Sequence, residues 1–189
     1  MPLLFPNKMA ELTRAFIAID FPDEVIKEVA RVQGVLGKKK FTGKMTELEN
    51  LHLTLKFLGE IDEGTIKRVK ERLKGVRFDA FEAKLGRCGT FSIRSYPKIA
   101  WIKVNGNVFK LQKQIDNALK DLFDAEERFM SHLTIARIKY VEDKDYFKEY
   151  ISNLKLREIR FKVDKFKLMK SDLREAGPIY SAIEEYNLQ

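Results

Sequence analysis

The chain has 189 residues, 44% of them apolar and 34% charged, the balance of a soluble globular protein rather than a disordered or fibrous one. Lysine and arginine total 36 against 28 aspartates and glutamates, so the net charge is +8 and the pI near 9.4, favouring polyanionic partners such as nucleic acid or phosphorylated ligands. No apolar run approaches the ~20 residues that span a bilayer, and a single cysteine, Cys88, excludes an internal disulfide and a Cys-based zinc cluster.

Residues 1–10 read as an N-terminal extension, with Met9 an alternative start. This end carries no basic segment followed by a long apolar one, so no secretory signal and a cytoplasmic location are expected. Thr13 to Ile19 is a short β-rich run. Pro22-Asp23-Glu24 opens a helix carrying Val25, Ile26, Val29, Ala30 and Val32, ended by Gly34 and Gly37. Residues 38–50 are expected as a loop, with Lys38, Lys39, Lys40 and Lys44 forming a basic segment that could guide an RNA backbone. Gly34 to Lys39 lacks the spacing of a phosphate-binding loop and ends a helix instead of starting one. A strand over 51–57 follows, then a helix capped by Asp62 and reaching about Leu73. Phe78 to Phe91 reads as a long strand or hairpin region. Strand 99–104 leads to a helix with Val108, Leu111, Ile115, Leu119 and Leu122 on one face. Strand 131–138, a helix near 143–153, a long alternating strand near 158–170 and a final strand near 178–184 complete the chain. Asp20 and Asn105, at matching strand ends, read as helix caps, and Cys88 as a small buried residue. Abundant charge of both signs with little glutamine fits a thermophilic source.

The chain also reads twice. At a shift of 80 residues, His52-Leu53-Thr54-Leu55 falls on His132-Leu133-Thr134-Ile135, Arg77 on Arg157, Phe81 on Phe161 and Arg94 on Arg174. At a shift of 85, Ala15 to Asp20 falls on Ala100 to Asn105. The expected unit is strand, helix, His-bearing strand, helix, strand, with a first repeat over about 12–94 and a second over about 97–185. The fold class predicted is α+β: one bilobal, duplicated domain of two antiparallel sheets, with helices on the outer faces and a central cleft.

Both histidines of the chain lie in these His-Leu-Thr units. Side chains alternate along a strand, so His52 and Thr54 share one face and Leu51, Leu53 and Leu55 the other; His132 and Thr134 oppose Leu133 and Ile135 in the same way. If a pseudo-twofold axis relates the halves, both His/Thr pairs meet across one cleft. Two imidazoles suit acid–base chemistry at a phosphodiester, one accepting the nucleophile's proton and one donating to the leaving oxygen. Threonine hydroxyls can hold the non-bridging oxygens. Two histidines without clustered carboxylates make a poor metal set, so neither metal nor cofactor is expected.

His52-Leu-Thr-Leu-Lys-Phe-Leu-Gly-Glu60 and His132-Leu-Thr-Ile-Ala-Arg137 resemble the paired H-x-T-x signatures of the 2H phosphoesterase superfamily, and most of all its RNA 2′,3′-cyclic phosphodiesterase (2′-5′ RNA ligase) family. The likeness extends to the opening Arg14–Ile19 strand and the closing Ser171-Asp-Leu and Gly177-Pro-Ile-Tyr180 segments. It implies metal-independent opening of a 2′,3′-cyclic phosphate to a 2′-phosphate, or joining of that end to a 5′-hydroxyl. His52 would be the proton donor and His132 the proton acceptor, roles the sequence itself leaves interchangeable. Thr54 and Thr134 match phosphate-binding threonines, and Arg137 an arginine near the phosphate. Strict alternation would turn Arg137 onto the leucine face, so it must lie past a bulge or at the strand end. Phe57, its counterpart in the first unit, would stack on a base or sit in the core. The expected partner is RNA with a 2′,3′-cyclic phosphate end, or a small cyclic nucleotide, bound by a monomer. Two other readings are a non-catalytic RNA- or nucleotide-binding module and a 3′-end RNA exonuclease of the same superfamily.

Overall fold

Local chemistry sets most element boundaries in the computed structural model, which describes residues 11–37, 41–175 and 177–189. Strand β1 (Thr13–Ile19) leads into helix α1 (Asp23–Leu36), where Pro22 takes the N-cap position, Asp23 and Glu24 occupy the first turn and Val25, Val29, Val32 and Leu36 are buried. Strand β2 (Phe41–Met45) and a single 3-10 turn (Leu48–Asn50) precede β3 (Leu53–Ile61). Helix α2 (Glu63–Lys74) starts at Asp62, whose carboxylate accepts from the Thr65 amide at 2.7 Å. The hairpin of β4 (Phe81–Ile93) and β5 (Tyr96–Asn105) comes next, then α3 (Val108–Leu119), β6 (His132–Val141) and α4 (Lys144–Ser152), capped by Asp143. Strands β7 (Arg160–Val163), β8 (Lys165–Arg174) and β9 (Gly177–Asn187) close the chain.

The strands form two antiparallel sheets, one ordered β3-β1-β8-β9 and the other β2-β6-β5-β4-β7. Helices α2 and α3 cover the outer face of the first, and α1 and α4 cover the second. The α+β, two-sheet architecture expected from the sequence is therefore present. Its chain path is interleaved: β4 leaves the first half to pair with β5, and β8 returns from the second half to pair with β1. Helices α1 and α3 likewise each cover the sheet that does not contain the strand before them. Apolar residues of both sheets and all four helices join in one core, with Ile17, Leu53, Leu111, Ile115 and Leu133 fully enclosed. No helix among the described residues is long and apolar enough to cross a membrane.

Several expectations are corrected. Residues 38–50 are not all loop: Phe41–Met45 forms β2 against β6, while Lys38, Lys39 and Lys40, like residues 1–10, lie outside the described residues. The alternating stretch near 158–170 is two strands, because Arg160–Val163 pairs with β4 and the chain after Asp164 crosses to pair with β1. Gly34 sits inside α1, which ends at Gly37. Leu122 lies beyond the end of α3. Neither Asp20 nor Asn105 caps a helix: Asp20 pairs with Lys167 of β8, Asn105 ends β5, and the N-cap positions fall to Pro22 and Asn107. Cys88 is fully buried, and burial pushes its thiol up to about 11.

A buried polar cluster ties β3 to α3. Lys56 Nζ donates to Asp116 Oδ1 at 2.7 Å and to the Asp124 carbonyl at 2.6 Å, while Gln112 Nε2 (2.6 Å) and the Glu126 amide (3.0 Å) donate to Asp116 Oδ2. Burial opposes the charge on Asp116, but these donors outweigh it and hold the carboxyl below its ordinary range. Lys56→Met would strand that carboxylate without its cation. Urea unfolding is expected to show a loss of about 3–5 kcal/mol, the range for breaking one side of a buried pair.

Candidate active site

The two His-Leu-Thr segments enter equivalent strands of opposite sheets, and β3 and β6 approach each other across the gap between the sheets. Leu51, Leu53 and Leu55, like Leu133 and Ile135, turn into the core, leaving His52, Thr54, His132 and Thr134 half-buried on the cleft side. Alternation then breaks in both strands. Thr54 pairs with Ala18 and Lys56 with Ile17, so Leu55 is an extra residue; Thr134 pairs with Trp101 and Ala136 with Ala100, so Ile135 is its counterpart. Beyond each bulge the parity is reversed. Lys56 and Ala136 face inward, and Phe57 and Arg137 return to the cleft side. Phe57 is 69% exposed, which removes its reading as a core aromatic. A glycine at 43 is required where β2 closes on β6, because a Cβ there would collide with the Arg137 carbonyl.

His52, Thr54, Phe57, His132, Thr134 and Arg137 all line one cavity of about 820 Å³ between the sheets. Arg14, Lys44 and Arg128 add further positive charge to its walls, against Glu47 and Glu126, and Lys44 pairs with Glu47. An anionic ligand suits this lining.

The histidines are held alike. His52 Nδ1 lies 2.8 Å from the Asn50 carbonyl, and His132 Nδ1 lies 2.7 Å from the Met130 carbonyl. A carbonyl only accepts, so each Nδ1 carries the proton and each Nε2 is left for chemistry. Aromatic rings fix the planes: Phe16 at 4.9 Å and Tyr180 edge-on at 5.0 Å for His52, Phe91 edge-on at 4.8 Å for His132. Sequence reading did not single out Phe16, Phe91 or Arg14 as site residues. Phe16 gave one signal, its repeat match to Trp101, which packs against Phe91.

Burial is the main force on both imidazoles and holds each below the ordinary value of 6.5. The smaller influences differ. At His52 the Asn50 bond and the Asp20 carboxylate favour the charged ring, against Arg137 and His132; at His132 the Met130 bond favours it, against Lys103, its directly opposite partner on β5. Among the described residues no cluster of three or more His, Cys, Asp or Glu side chains is placed to hold a metal ion.

The chain matches the family described as LigT like Phosphoesterase over residues 19–101 and 103–180. It is 36% identical over 176 residues to the RNA 2′,3′-cyclic phosphodiesterase of Methanocaldococcus jannaschii, covering 92% of this chain and 99% of that protein. With the protein of the same name from Thermotoga maritima it shares 37% identity over 177 residues, 91% of this chain and 94% of the other. Two solved structures share the fold: TT0787 of Thermus thermophilus, with a TM-score of 0.80 at 24% identity over 92% of this chain and 97% of that one, and E. coli LigT complexed with 3′-AMP, with 0.73 at 20% over 95% and 99%.

Histidine-selective NMR titration should find both rings losing their protons below 6.5. Because the folded values lie below the unfolded one, both side chains contribute stability that is full above 6.5 and is lost as pH falls through the folded values. Lys103→Met is expected to raise the His132 titration and leave that of His52 in place.

Proposed function

The chain belongs to the LigT like Phosphoesterase family, and from that membership we propose that it opens RNA 2′,3′-cyclic phosphate ends to 2′-phosphomonoesters by metal-independent acid–base catalysis with two histidines. The observation that carries this reading is the matched anchoring of His52 and His132, each with Nδ1 committed to a backbone carbonyl and both lining one cavity.

In the reaction, His132 Nε2 takes a proton from water as the water oxygen attacks phosphorus. The bond from phosphorus to the 3′ oxygen breaks, and His52 Nε2–H supplies that oxygen with its proton, leaving the phosphate on the 2′ oxygen. The Asp20 carboxylate on the His52 side and the Lys103 ammonium beside His132 support this division, since one favours an imidazolium and the other a neutral ring. A bound phosphodiester anion would favour the charged form of the acid further. Thr54 and Thr134 hydroxyls donate to the non-bridging oxygens, and Arg137 offsets charge that builds there. Phe57, exposed at the cavity wall, offers a face for the base of the terminal nucleotide. A 5′-hydroxyl attacking in place of water would yield a 2′-5′ linkage, so ligation needs no further residue. We take the duplicated unit, 12–94 and 97–185, as the origin of the paired site, in a cytoplasmic monomer.

Incubation of a nucleoside 2′,3′-cyclic phosphate with enzyme and EDTA is expected to give undiminished formation of the 2′-phosphate, read by phosphorus NMR. Activity lost to the chelator and restored by a divalent ion would replace the two-histidine account with a metal-activated water. Turnover of an uncyclised oligonucleotide alone would mark an exonuclease, and binding without any turnover a recognition module.

His52→Ala and His132→Ala should each lower turnover by at least ~10²-fold, the low end of general acid or base contributions. The double variant should be only modestly worse, because the two act as one unit. Either single variant turning over near the wild-type rate while folded would assign that histidine a structural role.

A further inference from the structure

We propose that Gln33 is a positioning residue for the phosphate site, holding the Ile135 bulge that turns Arg137 into the cleft. Its place in the last turn of α1 marks it from sequence as an ordinary polar helix residue. In the folded chain its side-chain amide leaves that helix for two carbonyls distant in sequence. Nε2 donates to the Thr46 carbonyl at 2.7 Å and to the Ile135 carbonyl at 2.9 Å. One amide nitrogen carries two protons, and each finds one acceptor at good distance.

The Ile135 carbonyl belongs to the residue that has no partner on β5. It also accepts from the Thr46 amide at 3.0 Å, so its two lone pairs are engaged by the residue that follows β2 and by the α1 side chain. Ladder pairing between β2 and β6 has ended one residue earlier, at Met45 and Ala136. Beyond that point the bulge is fixed by Thr46 and Gln33. Arg137 stands two residues further on, and its side of the strand depends on the extra residue being held. Without Gln33, the Thr46 carbonyl loses its side-chain donor and the Ile135 carbonyl keeps one bond of two. Relaxation of the bulge to regular pairing would carry Arg137 to the inward face, because a one-residue change of register exchanges the faces.

The inference rests on the reading of the cleft as a phosphate site, but its test does not require turnover. The measurement is affinity for inorganic phosphate, by calorimetry, in four chains: wild type, Gln33→Leu, Arg137→Ala and the double variant. Gln33→Leu is expected to weaken phosphate binding roughly tenfold, as for loss of a well-placed charge-assisted hydrogen bond. In the Arg137→Ala background the same substitution should change affinity by less than about twofold, the non-additivity of two residues acting through one contact. Gln33→Met serves as a second uncharged replacement if Gln33→Leu fails to fold. Equal losses in both backgrounds, no loss in either, or a wild-type chain that does not bind phosphate would each overturn the proposal. Cyclic phosphate turnover in the wild-type chain, assayed separately, tests the function itself.

Discussion

The far side of the cleft, where Phe57 and Arg137 join the histidines and threonines, depends on an interruption just past the His-Leu-Thr unit of each strand. A regular β3 would send Phe57 into the core and bring Lys56 out, and a regular β6 would do the same to Arg137 and Ala136. Both interruptions are held by buried or half-buried polar groups, and the bonds run crosswise. Lys56, just past the break in β3, reaches Asp116 and the 124 carbonyl in the segment that leads to His132. Ile135, at the break in β6, is bonded to Thr46 in the segment that leads to His52. Those segments supply Met130 and Asn50, whose carbonyls orient the two imidazoles. Each histidine is thus aimed by backbone that the other sheet keeps in place.

This bracing also gives the polar clusters a reason to be buried. A charged pair such as Lys56 and Asp116 is a weak source of net stability, since desolvation offsets most of the attraction. What it does supply is direction, because three donors meet one carboxylate from different elements. Around the imidazoles the opposite chemistry holds. Phe16, Tyr180 and Phe91 lay their rings against the imidazoles and strip water from them. Burial therefore favours the neutral form of both rings, and a bound anion would act in the opposite direction.

Sequence reading located β1 at its observed bounds, began α2 at Asp62 and set His52, Thr54, His132 and Thr134 on the strand faces that line one cavity. These rest on local signals, namely alternation, a capping carboxylate and a repeated tripeptide, whereas Arg137 is a candidate only through the family resemblance, and Phe57, its counterpart, stands open in the sequence between a base-stacking and a core role. A bulge or strand end before Arg137 is expected only because the resemblance puts that arginine near the phosphate while strict alternation puts it on the leucine face. Other features carry no local signal. Strand β2 is five residues long, contains Gly43 and is half exposed, so its pattern resembles a loop. The sheet change within 158–170 does leave a mark: the apolar positions shift phase at Asp164 and Lys165, from Ile159, Phe161 and Val163 to Phe166 and Leu168, where the chain passes from β4 to β1 as its partner. Asp20 looked like a cap because short acids favour helix starts, yet a lysine on β8 takes it. Gln33 and Phe91 acquire their meaning from partners on other elements, Thr46 and Ile135 for the one and His132 for the other, which no local pattern announces.

The exchange of β4 and β8 between the two sheets has a bearing on how this molecule comes into being. Neither half of the chain owns a complete sheet, and each half's first helix lies over the other's strands. An amino-terminal half emerging first from the ribosome exposes the β1 edge that β8 will later cover and the β4 edge meant for β5. Folding must wait for nearly the whole chain, with loop closures spanning much of its length before the pairing between β1 and β8 can form. The same threading makes the native state hard to open in pieces, because prying either sheet apart tears strands from both ends of the polypeptide at once. A catalyst built across such a seam keeps its two halves in register for as long as it is folded at all.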